Sequence, residues 1–354
     1  MNGDGKRARP RHRRGWGCLL ALSSVAVPFL LLEAVYRGQW VETYAPELRA
    51  YNPPDALLST EDRPTLLAMG DSFTAGVVSY PNALRESRPE WRIVNAGLPG
   101  TGIVQSRAIC ARRLKRFDPD CCVYQVFVGN DLLDLRYPWD GENLSLVRRA
   151  YWWLAMRWRS LGFLNYRLAQ WSSPNPPAYE EFFAAKDLKT PFSPEAYDAR
   201  ERLYFQAEPH LVESQVRLQG RRAGDYVRWL NELSALRREF GSRNCLVILL
   251  VIPHAAQVAP IYIERMGRLG ARFSEPAEMM KTDYPFVEGI RRRFAGDSQV
   301  IVVDPLPDLQ AAEREGRAVY FSNDGHLNRT GQEIVARKVD DVLREQTCGT
   351  LNGN

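Results

Sequence analysis

Ser72 lies in Leu66-Leu67-Ala68-Met69-Gly70-Asp71-Ser72-Phe73-Thr74-Ala75-Gly76, an apolar run that stops at a glycine and then turns toward a helical pattern. In an open α/β sheet, ligands bind beyond the carboxyl ends of the strands. A serine placed there meets the free N–H groups of the following helix, which favour developing negative charge. Such a serine can act as a nucleophile or simply cap the helix. The chain has four histidines: His12, His210, His254 and His326. Of these, His326 ends Asp324-Gly325-His326, a spacing that brings the carboxylate to the imidazole, fixes its tautomer and stabilises its cationic form. Two further polar turns follow apolar runs, Asn95-Ala96-Gly97-Leu98-Pro99-Gly100 and Gly129-Asn130-Asp131. Read alone, Gly100 allows a turn and Asn130 ends a strand. His254 and Asp131, each just past a strand end, are candidate substrate contacts, although a histidine after Pro253 can equally pack beneath a loop. Asp71 is expected to hold the turn through backbone hydrogen bonds.

In this order the four clusters resemble the SGNH, or GDSL-type, hydrolase family. Gly70-Asp71-Ser72 is similar to its first motif block, Asn95 to Gly100 to the second, Gly129-Asn130-Asp131 to the third and Asp324-Gly325-His326 to the last. The resemblance implies a flavodoxin-like fold with Ser72 as nucleophile, His326 as base, and the Gly100 N–H and the Asn130 amide as oxyanion donors. It spans about residues 63–347, apart from a long insertion. The commonest form of the last block has aspartate three residues before the histidine, where this chain has Asn323. Family branches that modify polysaccharides, among others, carry the Asp-x-His form, which gives the role to Asp324.

These parts fit acyl transfer. Serine is a poor nucleophile until a base takes its proton, and an imidazole titrates close to working pH. The N–H of Ser72 joins Gly100 and Asn130 as a third donor to the oxyanion. The expected activity is therefore a serine esterase acting on an O-acyl ester, such as an acetyl group on a glycan. Two alternatives stay open: an O-acyltransferase that passes the acyl group to a sugar hydroxyl, and a non-catalytic domain that binds glycan or a protein partner. The Gly-x-Ser-x-Gly elbow of the α/β-hydrolases is absent. With no metal-ligand cluster and no phosphate-cradling loop, neither a metal nor another cofactor is expected.

The elements that must position these residues are legible as alternating strands and helices. Strands are expected at about 65–69, from Arg92, over Cys121–Val128, over Leu246–Ile252 and over Val300–Val303. The continuous apolar runs suit strands buried on both faces. Helical spacing follows at 103–117, with Val104, Ala108, Ala111 and Leu114, and again at 222–240 and 331–346. This pattern predicts a three-layer α/β/α fold around a parallel sheet with right-handed crossovers. Residues 132–220 are too long for a crossover and read as a mainly helical insertion. Its Arg148 to Arg159 stretch interleaves arginine with Trp152, Trp153 and Trp158. Those aromatics either fill the insertion's own core, roof the cleft, or lie at a membrane surface.

The net charge of +5 resides in residues 1–14, which hold six Lys and Arg against Asp4, while the remaining 340 residues carry 41 charges of each sign. No basic field directs the domain to nucleic acid. The basic head precedes Gly15 to Leu32, an uncharged run long enough to span a bilayer as a helix. The sequence thus predicts a cytoplasmic head (1–14), a transmembrane anchor (15–37), a linker (38–62), the catalytic domain outside the cytoplasm (63–347) and a tail (348–354). A cleaved signal peptide and a secreted domain are the alternative. Beyond Cys18 the cysteines Cys110, Cys121, Cys122, Cys245 and Cys348 fit no zinc spacing, and those that open apolar runs are expected to be small buried residues.

Overall fold

The computed structural model describes residues 12–58, 63–135, 145–172, 190–241 and 245–346. Five apolar runs form β1 (Thr65–Met69), β2 (Arg92–Asn95), β3 (Cys121–Phe127), β4 (Leu246–Ile252) and β5 (Val300–Val303). They make one all-parallel sheet in the order β2-β1-β3-β4-β5. Every residue of β3 is buried, as a central strand covered on both faces requires. From β1 the chain crosses to β2 on one side, then returns past β1 to β3 on the other. Right-handed crossovers put the two connecting helices on opposite faces of the sheet. Accordingly, Tyr80–Ser87 packs with Arg329–Glu345, while Ile103–Phe117 packs with Arg221–Gly241. The strand order reverses between β1 and β3, so a crevice opens beyond their carboxyl ends.

Two expectations change within this sheet unit. The segment expected as a linker contributes to the core: Tyr44, Leu48, Tyr51 and Ala56 are buried, and the short helix Pro54–Leu57 packs on β2. Cys122 and Cys245, expected as independent buried thiols, are joined by a disulfide. Parallel pairing of Cys121 with Leu246 and of Cys122 with Val247 sets Cys245, just before β4, beside the start of β3, with the Cys122 and Cys245 Cα atoms 6.4 Å apart. Cys110 remains a free, buried thiol.

The chain divides into two compact units, residues 1–43 with 143–173, and residues 44–142 with 174–354. The insertion is therefore split, and its Trp-rich part belongs with the N-terminal helix. In that smaller unit the helix His12–Gly38 packs against Arg159–Ser172. Glu33 accepts hydrogen bonds from the Arg159 N–H (3.1 Å), the Ser160 N–H (2.9 Å) and the Ser160 hydroxyl (2.6 Å), capping that second helix. The Phe29 and Trp158 rings lie 6.3 Å apart, and Arg157 stacks over Trp153 at 4.0 Å. The expected transmembrane span is not met: among the described residues no helix is long and apolar enough to cross a membrane. The last turns of His12–Gly38 carry Glu33, which caps Arg159–Ser172, and Arg37, which donates to the Arg157 carbonyl at the end of the helix Leu146–Arg157. Most of the basic head and the expected C-terminal tail lie outside the described residues.

Candidate active site

Ser72 stands on the turn that leaves β1. Asp71 shapes this turn: its side chain accepts the Phe73 N–H (2.9 Å), and its carbonyl accepts those of Thr74 (3.2 Å) and Ala75 (3.0 Å). From β3, the side-chain oxygen of Gln125 accepts the Asp71 N–H at 3.0 Å and the Thr74 hydroxyl at 3.1 Å. From β2, Asn95 donates to the Thr74 carbonyl at 2.8 Å and accepts the Gly97 N–H at 3.1 Å. Asn95 is itself held by Asn52, in the segment expected as a linker, through two 2.7 Å hydrogen bonds. The loop after β2 is thereby drawn onto the serine turn, where Leu98 N–H reaches the Gly70 carbonyl at 2.9 Å. A Cβ on Gly97 would stand 2.5 Å from the Ala75 nitrogen and 2.8 Å from the Thr74 carbonyl carbon, so the approach requires glycine.

The C-terminal loop reaches the same rim. Tyr320 and Leu327 form an antiparallel bridge, and Asn328 caps Arg329–Glu345 by accepting the Gly331 N–H at 3.1 Å. At the start of that helix, Gln332 accepts the Tyr80 N–H (2.9 Å) and donates to the Phe73 carbonyl (3.2 Å). This lacing sets His326 against Ser72, with Oγ to Nε2 at 2.7 Å. Asp324 Oδ1 lies 2.5 Å from His326 Nδ1 and also accepts the His326 backbone N–H at 2.8 Å. A carboxylate only accepts, so Nδ1 carries the ring proton and Nε2 presents its lone pair to the Ser72 hydroxyl. Phe73 covers the imidazole, ring to ring at 4.8 Å. Asn323 points away, accepting the Ser193 N–H at 2.8 Å and donating to the Pro191 carbonyl at 3.0 Å.

No protein-family model matches the chain, and no curated protein matches it in sequence. Among solved structures, the crystal structure of an acetyl xylan esterase, AlAXEase, is similar over 79% of this chain and 99% of its own, at 12% sequence identity and a TM-score of 0.41.

The two remaining candidate donors belong to loops on either side of the serine. β2 and β3 flank β1, so the turns bearing Gly100 and Asn130 border the one bearing Ser72. Gly100 is exposed, and among the described residues neither its N–H nor that of Ser72 has an acceptor. Both are positioned as unspent donors. The carboxamide of Asn130 neighbours Asp71 and favours its charged form, and its Oδ1 is buried without a partner.

Asp131 and His254, the two candidate substrate contacts, both lie largely inside the protein. Asp131 is buried and accepts the Phe127 N–H at 2.9 Å. Burial, with the neighbouring Asp71 and Asp134 carboxylates, pushes its pKa well above the usual carboxylate range. Burial also raises Asp71, against the hydrogen bond from Phe73 and the charge of His326. His254 lies under the loop, its ring stacked on Phe127 at 5.9 Å and its Nδ1 accepting the Ala256 N–H at 3.2 Å. Burial lowers its pKa to about 3, so it packs as a neutral imidazole.

Sequence reasoning missed Gln125, Gln332 and Asn52 as supports. Gln125 did leave a signal, as the one polar side chain inside the Cys121–Val128 run, where a buried amide needs partners. Among the described residues no group of three or more His, Cys, Asp or Glu could hold a metal ion.

Proposed function

We propose that this chain is a serine esterase of the SGNH type, cleaving an O-acyl ester through an acyl-enzyme on Ser72. The observation that carries this reading is the hydrogen-bonded series from Ser72 Oγ to His326 Nε2 (2.7 Å) and from His326 Nδ1 to Asp324 (2.5 Å). As Oγ attacks the acyl carbon, Nε2 takes the hydroxyl proton, and Asp324 stabilises the imidazolium that forms. The N–H groups of Ser72 and Gly100 and the Asn130 amide hold the oxyanion. The imidazolium then protonates the departing alcohol. Water attacks the acyl-serine while His326 takes its proton, and collapse of the second adduct releases the acid and restores Ser72. An acetyl ester on a carbohydrate is the substrate class we favour, because Asp324-Gly325-His326 has the Asp-x-His form of the family branches that modify polysaccharides.

We place this activity outside the cytoplasm. The Cys122–Cys245 disulfide supports that location, since such bonds persist in oxidising compartments. The uncovered Val27, Leu30 and Leu31 of the helix His12–Gly38 support contact of that helix with lipid.

Hydrolysis of a small chromogenic acetyl ester by the full chain tests the chemistry. Ser72→Ala and His326→Ala should each lower kcat/KM by about 10⁴-fold or more. A fluorophosphonate probe should label the wild type and not Ser72→Ala. Equal hydrolysis by wild type and Ser72→Ala would end this reading.

A further inference from the structure

Glu201 lies at the site but belongs to none of the four sequence clusters. It is carried by the helix Ala199–Ala207, whose start is tied to the histidine loop through Asp198: the Asp198 N–H reaches the Asn323 carbonyl at 3.2 Å, and Asp198 Oδ1 accepts the Glu201 N–H at 3.0 Å. The Asn323 side chain adds its two bonds to Pro191 and Ser193, so the stretch leading into this helix is fastened to the loop that bears Asp324 and His326. The outcome is a second carboxyl group seated against Gly325, the residue between the two. An ideal Cβ on Gly325 would collide with Glu201 Oε1 and stand 2.7 Å from Oε2, so the spacer must be glycine for this carboxyl to fit.

We propose that Glu201 is a positioning residue that sets the charge of the Asp324–His326 pair, raising the basicity of the imidazole that faces Ser72. The groups facing Glu201 are Asp324 and His326 on the C-terminal loop, and Tyr197 and Asp198 before its own helix. The helix Pro260–Leu269, packed against Ala199–Ala207, brings Arg265 and Arg268, whose guanidinium groups lie over the Phe192 ring. Burial first, and then Asp324, push the Glu201 carboxyl up to about 7, while His326 and the Tyr197 hydroxyl draw it down. Glu201 and His326 are therefore linked electrostatically, the charge of each favouring that of the other. An ionised Glu201 favours the imidazolium, so a residue of the insertion helps to set the pH at which the base becomes active. The role described here rests on the serine-esterase reading, while the charge coupling itself does not.

The test is an NMR titration of the His326 imidazole in the full chain, assigned with His326→Gln, for wild type and Glu201→Gln. The isosteric Glu201→Gln should lower the imidazole pKa by about one unit, and the acid limb of kcat/KM for an acetyl ester should move down by the same amount. An unchanged imidazole titration overturns the proposal. If Glu201→Gln does not fold, Tyr197→Phe replaces it: loss of the hydroxyl that favours the charged carboxyl should shift the imidazole in the same direction by less, and no shift again overturns it. Should Ser72→Ala hydrolyse the ester as fast as wild type, the esterase reading fails while the titration still decides the role of Glu201.

Discussion

A serine hydroxyl gains nucleophilicity only from a neutral, correctly turned imidazole, and Asp324 supplies the turning by accepting both N–H groups of His326. Single residues around this pair make separable predictions. Asn130 is the only proposed oxyanion donor that comes from a side chain. Asn130→Ala should lower kcat by about 10²–10³-fold with KM little changed, the pattern of a contact made in the transition state. Steady-state kinetics on an acetyl ester checks this. His254 makes an acid-stability prediction. Its folded pKa, about 3, lies below the reference of about 6.5, so the unfolded chain binds one more proton between those values. Its contribution to stability is complete above pH 6.5 and is lost as pH falls from 6.5 toward 3. The slope is about 1.4 kcal/mol per pH unit. His254→Asn keeps an acceptor for the Ala256 N–H, so urea midpoints of that variant should fall less steeply below pH 6.5 than those of wild type. The candidate triad was legible from residue types and order. The inward turn of Asp131 was not, because strand-end position alone does not say whether a side chain faces the cleft or the core.

At the scale of elements, the site is three strand-end turns stitched to one loop. Gly97→Ala forces a methyl group into the backbone of Thr74 and Ala75. The serine turn or the β2 loop must then move, and a displacement near 1 Å typically costs about 10²-fold in rate. Gly97→Ala should therefore lower kcat by about that factor while the far-UV circular dichroism of the sheet is retained. Gln332 spans from its helix to the serine turn, and Gln332→Leu leaves the Tyr80 N–H buried without its acceptor. That change should destabilise the fold by about 1–3 kcal/mol in urea unfolding. The five strands were readable because apolar runs announce themselves locally. The Asn52 support was not, because Asn52-Pro53-Pro54 carries the composition of a loop whether or not it packs.

For the whole molecule, the Cys122–Cys245 disulfide links residues 123 apart, across the strand pair at the centre of the sheet. Closing a loop of that length restricts the unfolded chain and typically stabilises by about 2–4 kcal/mol. Reductant should lower the melting temperature of wild type by several degrees and that of a Cys122→Ala/Cys245→Ala variant by less, as differential scanning calorimetry would show. The split of the insertion was out of reach of the sequence. Trp158 and Phe163 pack on Phe29 and Tyr36, which precede them by more than a hundred positions.

Apolar periodicity and turn chemistry act over a few residues, so the sequence by itself determined the strands, the helices between them and the residue types able to transfer an acyl group. Hydrogen-bond partners have no such local trace. Ser72 and His326 are 254 positions apart, and Gln332 and Phe73 are 259. Only the tertiary structure decided that Gln125, Asn95 and Gln332 converge on the serine turn, that His254 packs away as a neutral ring, and that Glu201 is delivered to the histidine. Each of these follows from burial, which obliges a polar group to find whatever partner the fold brings within reach.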